Sequence, residues 1–205
     1  MKGGGVMKGF CWRYFEGKKE EEKEEEETTD AMVGLRALEI CFFVYFIAFI
    51  PVFLLFDSQG LLPASYYPQS LRQLLGDYAI SYRDPLLVDP PAWFHAILFC
   101  EIFVQLPFLP VAAYAFYKGG QRWIRVPVIM YATHVATTDL IICSYFMWHD
   151  FSNSTHPSPI TQGQRSLLLA VYSPFLLVPL LMLLTMCCSH TYCGYLPQDR
   201  KVKRK

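Results

Sequence analysis

The chain has 205 residues, and its 18 basic and 18 acidic side chains cancel to a formal charge of zero. The sequence is 53% hydrophobic and 16% aromatic, far richer than a disordered chain, and its basic residues form no long stripe of the kind that binds nucleic acid. Residues 1–31 hold six basic and nine acidic side chains, whereas the other 174 residues hold twelve and nine. The composition therefore argues against a disordered or nucleic-acid-binding protein.

The first 34 residues are predicted to form a disordered, acidic N-terminal arm. Three consecutive glycines at positions 3–5 and the glutamate-rich run at 20–27 are typical of a solvated segment. A glutamate-rich run is also compatible with a short helix or a docking tail. Nothing in the arm indicates chemistry.

Four later segments are long and apolar enough to cross a bilayer, whose core of about 30 Å needs about 20 apolar residues in a helix. A helix of a soluble bundle shows a polar face at 3.6-residue spacing, but these segments are apolar all round. We therefore predict an all-α integral membrane protein, a four-transmembrane-helix bundle with proline-kinked helices over residues 35–189. The segments are residues 40–56, which can extend back over 35–38, then 92–117, 126–148 and 166–189.

The positions of Lys and Arg predict the orientation, because these residues accumulate in cytoplasmic connections. The second connection carries Lys118, Arg122 and Arg125 without an acid, and the tail at 190–205 ends in five basic residues. The first connection has four Asp against two Arg, and the third has only Arg165 near Asp150. We expect both termini in the cytosol and the first and third connections in the lumen.

The basic tail also predicts a compartment. Lys201 and Lys203 lie five and three positions from the C-terminus, the pattern that retrieval coats read on endoplasmic-reticulum membrane proteins. The alternative is that these charges only bind anionic lipid, at about 1 kcal/mol each. The two interpretations are compatible.

No cofactor or metal is expected. The seven cysteines show no spacing with histidine that a zinc site would require. There is no glycine-rich loop and no basic residue within the spans, so phosphate and nucleotide ligands do not fit.

Two acids accompany the first half of the membrane region. An ionisable side chain near the bilayer centre costs at least about 2.5–3.5 kcal/mol, so each is a functional hypothesis. Glu101 lies about ten residues into the second span, and Gln105 follows one helical turn later on the same face. Asp57 ends the first span at its lumenal boundary.

The third span also carries several polar residues. His134 and Thr138 share one helix face, with Tyr131 at the i−3 position, and Asp139 lies one residue further round. Asp139 is interpreted either as structural, paired with His134 or Thr138, or as part of a proton pathway with Glu101.

Prolines within the spans predict an enclosed pocket. Each removes a backbone hydrogen bond and frees the carbonyl four residues earlier, so Pro107 frees that of Phe103. Broken helices in lipid are tolerated chiefly where they line a cavity. An apolar pocket with a few acids selects an amphiphile with a cationic or hydroxyl head, and sterols and hydrophobic amines fit that description. The six prolines are Pro51, Pro107, Pro110, Pro127, Pro174 and Pro179.

Several motifs carry a specific resemblance. The chain reads DPLL at 84–87, PPAWF at 90–94, FCE at 99–101, QLPF at 105–108, WIR at 123–125 and VYSP at 171–174. In these motifs, and nearly collinearly from about Leu38 to the basic tail, it resembles the sigma-2 branch of the EXPERA-domain membrane proteins. Residues 1–34 fall outside the resemblance.

The resemblance implies site residues. Asp57 would pair with a ligand amine, Asp84 would orient and buttress it, and Glu101 would be a deeper acid. Two positions depart from the family pattern: Asp139 stands where an apolar residue is expected, and Phe175 where a tyrosine is expected. Further ligand-contacting residues implied are Phe103 and Gln105 in a sterol-contacting stretch, and Tyr131, Thr138 and Tyr172 lining the pocket.

It also implies a cellular role. The expected protein is a homodimer of the endoplasmic-reticulum membrane, also found in nuclear, endolysosomal and plasma membranes. It would bind cholesterol, oxysterols and lipophilic amines, and would regulate cholesterol homeostasis and trafficking, partly through the Niemann-Pick C1 transporter and the low-density lipoprotein receptor.

Sterol isomerisation is the alternative functional hypothesis. The family also includes the emopamil-binding protein, a sterol isomerase that moves a ring double bond from the Δ8 to the Δ7 position. That reaction needs a general acid, a general base and surroundings that stabilise a carbocation. Asp57, Glu101 and His134 could supply these. A protonated amine mimics the carbocation, so pocket chemistry alone does not separate the two. Resemblance to the sigma-2 branch favours a non-catalytic receptor.

Overall fold

A computed structural model describes residues 4–193 of the chain. The predicted retrieval signal at Lys201 and Lys203 lies outside the described residues. No β-strand occurs within this range, and the helices are α1 (Gly4–Leu55), α2 (Gln69–Tyr82), α3 (Pro85–Val88), α4 (Ala92–Cys100), α5 (Leu106–Lys118), α6 (Arg125–Trp148), α7 (Gln162–Cys188) and α8 (His190–Cys193).

Four helical segments are long and apolar enough to cross a membrane. They are Thr28–Gly60, Ala92–Lys118, Arg122–Trp148 and Gln162–Cys188. Each contains one of the predicted spans, apart from the last residue of the fourth. The prediction of an all-α protein with four spanning helices is confirmed.

Helix α1 begins far upstream of the predicted first span. The structure differs here from the disorder expected for residues 1–34, because Gly4 to Leu55 form one helix that includes the glutamate-rich run. The physical reason is composition: Glu and Lys are good helix formers, and pairs of them three or four positions apart add a few tenths of a kcal/mol.

The chain divides into two compact units, residues 1–41 and 42–205. The first consists, in its described part, of α1 as far as Cys41. Within it Arg36 donates to Glu39 at 2.9 Å, one turn further along the helix. The second unit contains the rest of the helices and the candidate site.

The core of the second unit lies where α4, α6 and α7 meet beside α3. Leu86, Phe94, Phe146 and Leu168 form its buried centre. Along α6 the buried residues recur at three- and four-residue spacing, the pattern of a helix that packs one face inward. Asp139 lies on that buried stripe.

Arginine side chains secure the helix ends. Arg165 of α7 donates to the carbonyls of Phe146, Met147 and His149 at 2.8–2.9 Å, where α6 ends. At the other end Arg125 donates to the carbonyl of Met186 at 2.9 Å. These bonds satisfy carbonyls that have no partner within their own helix. They also place the start of α6 beside the end of α7, as expected if both face the same side of the membrane.

A π-helix, Glu101–Gln105, joins α4 to α5. The backbone N–H of Leu106 donates to the carbonyl of Glu101, five residues earlier instead of four. Pro107 follows directly, and it has no N–H to continue the α-helical pattern. Single π-helical turns of this kind are frequent at functional sites.

The first connection contains ordered helices that the sequence analysis left unassigned. Helix α2 ends at Tyr82, and the next residue, Arg83, adopts the left-handed conformation with φ 55°. Asp84 follows and caps α3, accepting a hydrogen bond from the Leu86 N–H at 3.0 Å. Pro85, the first residue of α3, suits that position because its missing N–H is not needed there.

Candidate functional site

A cavity of about 370 Å³ lies between the spanning helices and α2 in the second unit. Three carboxyl groups, Asp57, Glu101 and Asp139, belong to its lining, which is otherwise mostly apolar and aromatic. No Lys, Arg or His is among the described residues that form this lining. The other lining residues are Val52, Phe53, Phe56, Leu74, Leu75, Tyr78, Leu87, Phe94, Ile142, Val171, Tyr172 and Phe175.

Asp57 is placed by a turn just beyond α1. It begins a short 3₁₀ helix, Asp57–Gly60, in which the buried Ser58 donates to the carbonyl of Leu54 at 2.7 Å. Tyr67 donates to the Ser58 hydroxyl at 2.5 Å, so the connection is tied back to the end of α1. These contacts fix the Asp57 backbone beside the cavity that this residue lines.

Asp84 is connected to the site by a hydrogen bond from Tyr172. Its carboxylate is fully buried, and its Oδ2 accepts a hydrogen bond from the Tyr172 hydroxyl at 2.8 Å. Burial raises the pKa of Asp84 to about 6, while the bonds from Tyr172 and from the Leu86 backbone N–H lower it by less. Tyr172 lines the cavity, so Asp84 fixes a wall residue of the pocket.

Glu101 and Asp139 face the same cavity from different helices. Glu101 is the first residue of the π-helix. Both Asp57 and Asp139 lie within electrostatic range of Glu101. Asp139 is 7% exposed, and its Oδ2 has no hydrogen-bond partner within residues 4–193. Thr138 does not serve as its partner, because that hydroxyl donates to the carbonyls of His134 and Val135 at 3.2 and 2.9 Å.

Other residues named from the resemblance lie outside this lining. Phe103 is 56% exposed and packs on Phe99, with ring centroids 4.6 Å apart. Gln105 is buried, and its Nε2 has no partner among the described atoms. Tyr131 is buried beside Tyr45, with hydroxyl oxygens 3.4 Å apart, and Thr138 bonds its own helix. The structure therefore brings together Asp57, Glu101 and Tyr172, with Asp84 behind Tyr172.

One wall of the cavity was not predicted from the sequence. Leu74, Leu75 and Tyr78 of α2 line it, although α2 belongs to the first connection. Burial, with a smaller effect of Asp84, raises the pKa of Tyr78 to about 12. The signal was present, since Leu71, Leu74, Leu75 and Tyr78 recur at the i, i+3, i+4, i+7 spacing of an amphipathic helix.

The chemistry open to this site is limited. Residues 4–193 contain no group of three His, Cys, Asp or Glu side chains that could hold a metal ion. An apolar cavity with carboxyl groups can bind a cation or a hydroxyl donor. It can also place an acid and a base on either side of a bound molecule.

The sequence model of EXPERA, the expanded EBP superfamily, matches residues 70–186, more than half of the chain. The chain belongs to the EXPERA family. It is 48% identical over 173 residues to sigma intracellular receptor 2 of Xenopus tropicalis, covering 84% of this chain and 99% of the relative. The human sigma intracellular receptor 2 is 44% identical over 173 residues, covering 83% and 96%. The predicted resemblance to the sigma-2 branch is confirmed.

A more distant relative is the efficient mitochondria targeting-associated protein 19 of Saccharomyces cerevisiae, 24% identical over 147 residues, covering 66% of this chain and 89% of the relative. The EXPERA match begins in α2 and ends in α7. Asp84, Glu101, Asp139 and Tyr172 therefore fall inside the matched region, whereas Asp57 precedes it.

Proposed function

We propose that this protein is an intramembrane receptor for sterols, oxysterols and lipophilic amines, and that it regulates cellular cholesterol homeostasis and trafficking through this binding. The observation that carries the proposal is the apolar cavity with carboxyl groups and no basic residue in its described lining. The similarity to proteins named receptors supports a binding role over a catalytic one.

The electrostatics of the cavity favour an amine. A carboxylate surrounded by apolar groups loses its hydration, and a positive charge beside it offsets that loss. Asp57 is the lining acid that lies just past the end of α1, and we expect the amine of a ligand to pair with it. Phe53, Phe56 and Phe175 offer aromatic faces to the body of the ligand.

The same cavity suits a sterol. A hydroxyl head donates a hydrogen bond to a carboxyl oxygen, and the rings bury apolar area against aliphatic and aromatic side chains. Its volume of about 370 Å³ falls within the range of about 300–1,000 Å³ typical of small-molecule pockets. Sterol and amine would therefore compete for one site.

The test is binding of a radiolabelled hydrophobic amine to the full-length protein in lipid nanodiscs. Asp57→Asn keeps the shape of the side chain and removes its charge, so we expect affinity to fall at least tenfold. Asp77→Asn is the matched control, because Asp77 is an exposed α2 residue outside the lining. A sterol should displace the amine from the wild type. Unchanged affinity in Asp57→Asn would reject the proposal.

A second candidate is sterol isomerisation, favoured by one observation. Asp57 and Glu101 face a single cavity, so one could protonate a ring alkene while the other removes the neighbouring proton. Purified protein would then convert an 8-ene sterol to its 7-ene isomer, and Glu101→Gln would stop conversion. If protein that still binds the radiolabelled amine forms no product after prolonged incubation, isomerisation is rejected and the receptor function remains.

The cellular part of the proposal follows from the resemblance. We propose on that basis a homodimer in the endoplasmic-reticulum membrane, with the Niemann-Pick C1 transporter and the low-density lipoprotein receptor as partners. The distribution of Lys and Arg supports cytosolic termini. Replacing Lys201 and Lys203 with serine should move the protein to later compartments. An unchanged distribution would assign those lysines to lipid binding only.

A further inference from the structure

Asp139 is an anomaly in the buried face of α6. It occupies a position on the stripe that also carries Val135, Ile142 and Phe146, where an apolar side chain would pack without cost. Asp139 is only 7% exposed, yet its Oδ2 accepts no hydrogen bond within residues 4–193. A buried carboxylate in this state is costly, and a cationic or hydrogen-bonding partner in the cavity would offset that cost.

The described residues offer no structural explanation for this acid. Thr138 uses its hydroxyl on its own helix, and no cationic residue is among the described residues that line the cavity. Asp139 does belong to that lining. Its open oxygen is therefore available to a molecule in the cavity.

Glu101 lies near both of the other acids of the cavity. Asp57 and Asp139 are each within electrostatic range of it, and all three belong to the cavity lining. Asp57 lies just past the end of α1, whereas Asp139 lies on α6, so these two carboxyl groups come from different helices. The cavity thus offers a carboxyl group besides Asp57 for a second contact.

We propose that Asp139, together with Glu101, forms a second cation-binding position, so that the cavity takes lipophilic amines with two basic nitrogens, one at each end of an apolar body. This inference rests on the proposed function. The first nitrogen pairs with Asp57, and the second pairs with Asp139 beside Glu101. Asp139 is in this sense a specificity-determining residue of the receptor.

Three matched probes test the inference. Each has an N-benzyl-N-methylamino head on the same alkyl chain, and the far end carries a dimethylamino, an isopropyl or a hydroxyl group. Dimethylamino and isopropyl have nearly the same shape, so the ratio of their affinities reports the second charge alone. The probes compete with the radiolabelled amine for the full-length protein in nanodiscs, for the wild type and for Asp139→Asn, Asp139→Glu and Asp77→Asn.

We expect the wild type to bind the dimethylamino probe at least tenfold more tightly than the isopropyl probe. The ratio should fall to about one in Asp139→Asn, recover in Asp139→Glu, and stay unchanged in Asp77→Asn. A misfolded variant would lose all probes together, whereas loss of the second position changes only the ratio.

Three results would overturn the inference and leave the proposed function standing. The first is a wild type that binds the isopropyl probe as tightly as the dimethylamino probe, and the second is a preference that persists in Asp139→Asn. The third is a hydroxyl probe that gains as much from Asp139 as the dimethylamino probe, because that result would refute the assignment to a cation. Failure of every probe to bind the wild type would instead reject the proposed function.

Discussion

Asp84 makes the stability of this protein depend on pH in a direction opposite to that of most carboxylates. Its side chain is fully buried outside the spanning segments, and burial raises its pKa from 3.8 to about 6. The folded state therefore binds more protons than the unfolded state between about pH 4 and pH 6. The free energy of unfolding must fall as pH rises through that window and must level off above it.

The size of the effect follows from the pKa difference. About two pKa units at 1.36 kcal/mol each amount to about 3 kcal/mol, which for a chain of this length corresponds to roughly 6–12 °C in melting temperature. Asp84→Asn resembles the protonated aspartate, and its amide oxygen can still accept the Leu86 N–H. We expect the variant to match the wild type at pH 4 and to be more stable by up to about 3 kcal/mol at pH 7.

The assay is unfolding of wild type and Asp84→Asn in detergent micelles from pH 4 to pH 7.5. The other buried acids are common to both proteins, so the difference between the two curves isolates Asp84. Tyr172→Phe removes the hydrogen bond that lowers the pKa of Asp84, and should extend the window above pH 6. The reasoning would be refuted if the difference in unfolding free energy between wild type and Asp84→Asn did not change with pH. It would also be refuted if that difference changed in favour of the wild type as pH rises.

Two further predictions concern helix ends and one concerns a close contact, all measured as melting temperatures in micelles. Arg165→Ala removes three charged hydrogen bonds to the end of α6 and should cost about 2–3 kcal/mol; a loss below 0.5 would contradict that role. Arg83→Gly should stabilise by about 1 kcal/mol, because glycine adopts φ 55° without strain. Gly60→Ala should cost about 1 kcal/mol, because the new methyl group would lie 2.5 Å from Leu98 Cδ1.

The spanning helices could be predicted from sequence because lipid imposes one constraint on every residue of a span. A charge-free stretch of sufficient length has few alternatives in a bilayer, and the four predicted spans correspond to the four in the structure. The acids were recognised for the same reason, since an ionisable group at membrane depth is costly. Asp57 and Glu101 share one cavity, as expected of inward-facing acids.

What sequence could not supply was the rotation of side chains about each helix axis. The π-helix at Glu101–Gln105 changes the angle per residue just before Pro107, so ideal α-helical spacing no longer tells which side chains face inward. Phe103 consequently could not be placed from spacing, and it lies 56% exposed. Asp139 illustrates a different limit, because its neighbour Thr138 was equally able to bond the carboxyl or its own backbone.

The three carboxyl groups also bear on how the proposed receptor can bind two classes of ligand. At an effective dielectric constant of 20, a unit charge pair 4 Å apart is worth about 4 kcal/mol, whereas a hydrogen bond from a neutral hydroxyl contributes about 1 kcal/mol. In the proposed receptor a sterol therefore binds chiefly through buried apolar area, and an amine through charge. Asp139 replaces apolar surface with a carboxyl group, so we expect it to shift the preference of the proposed receptor toward amines. We expect an apolar residue at that position to shift the preference back toward sterols.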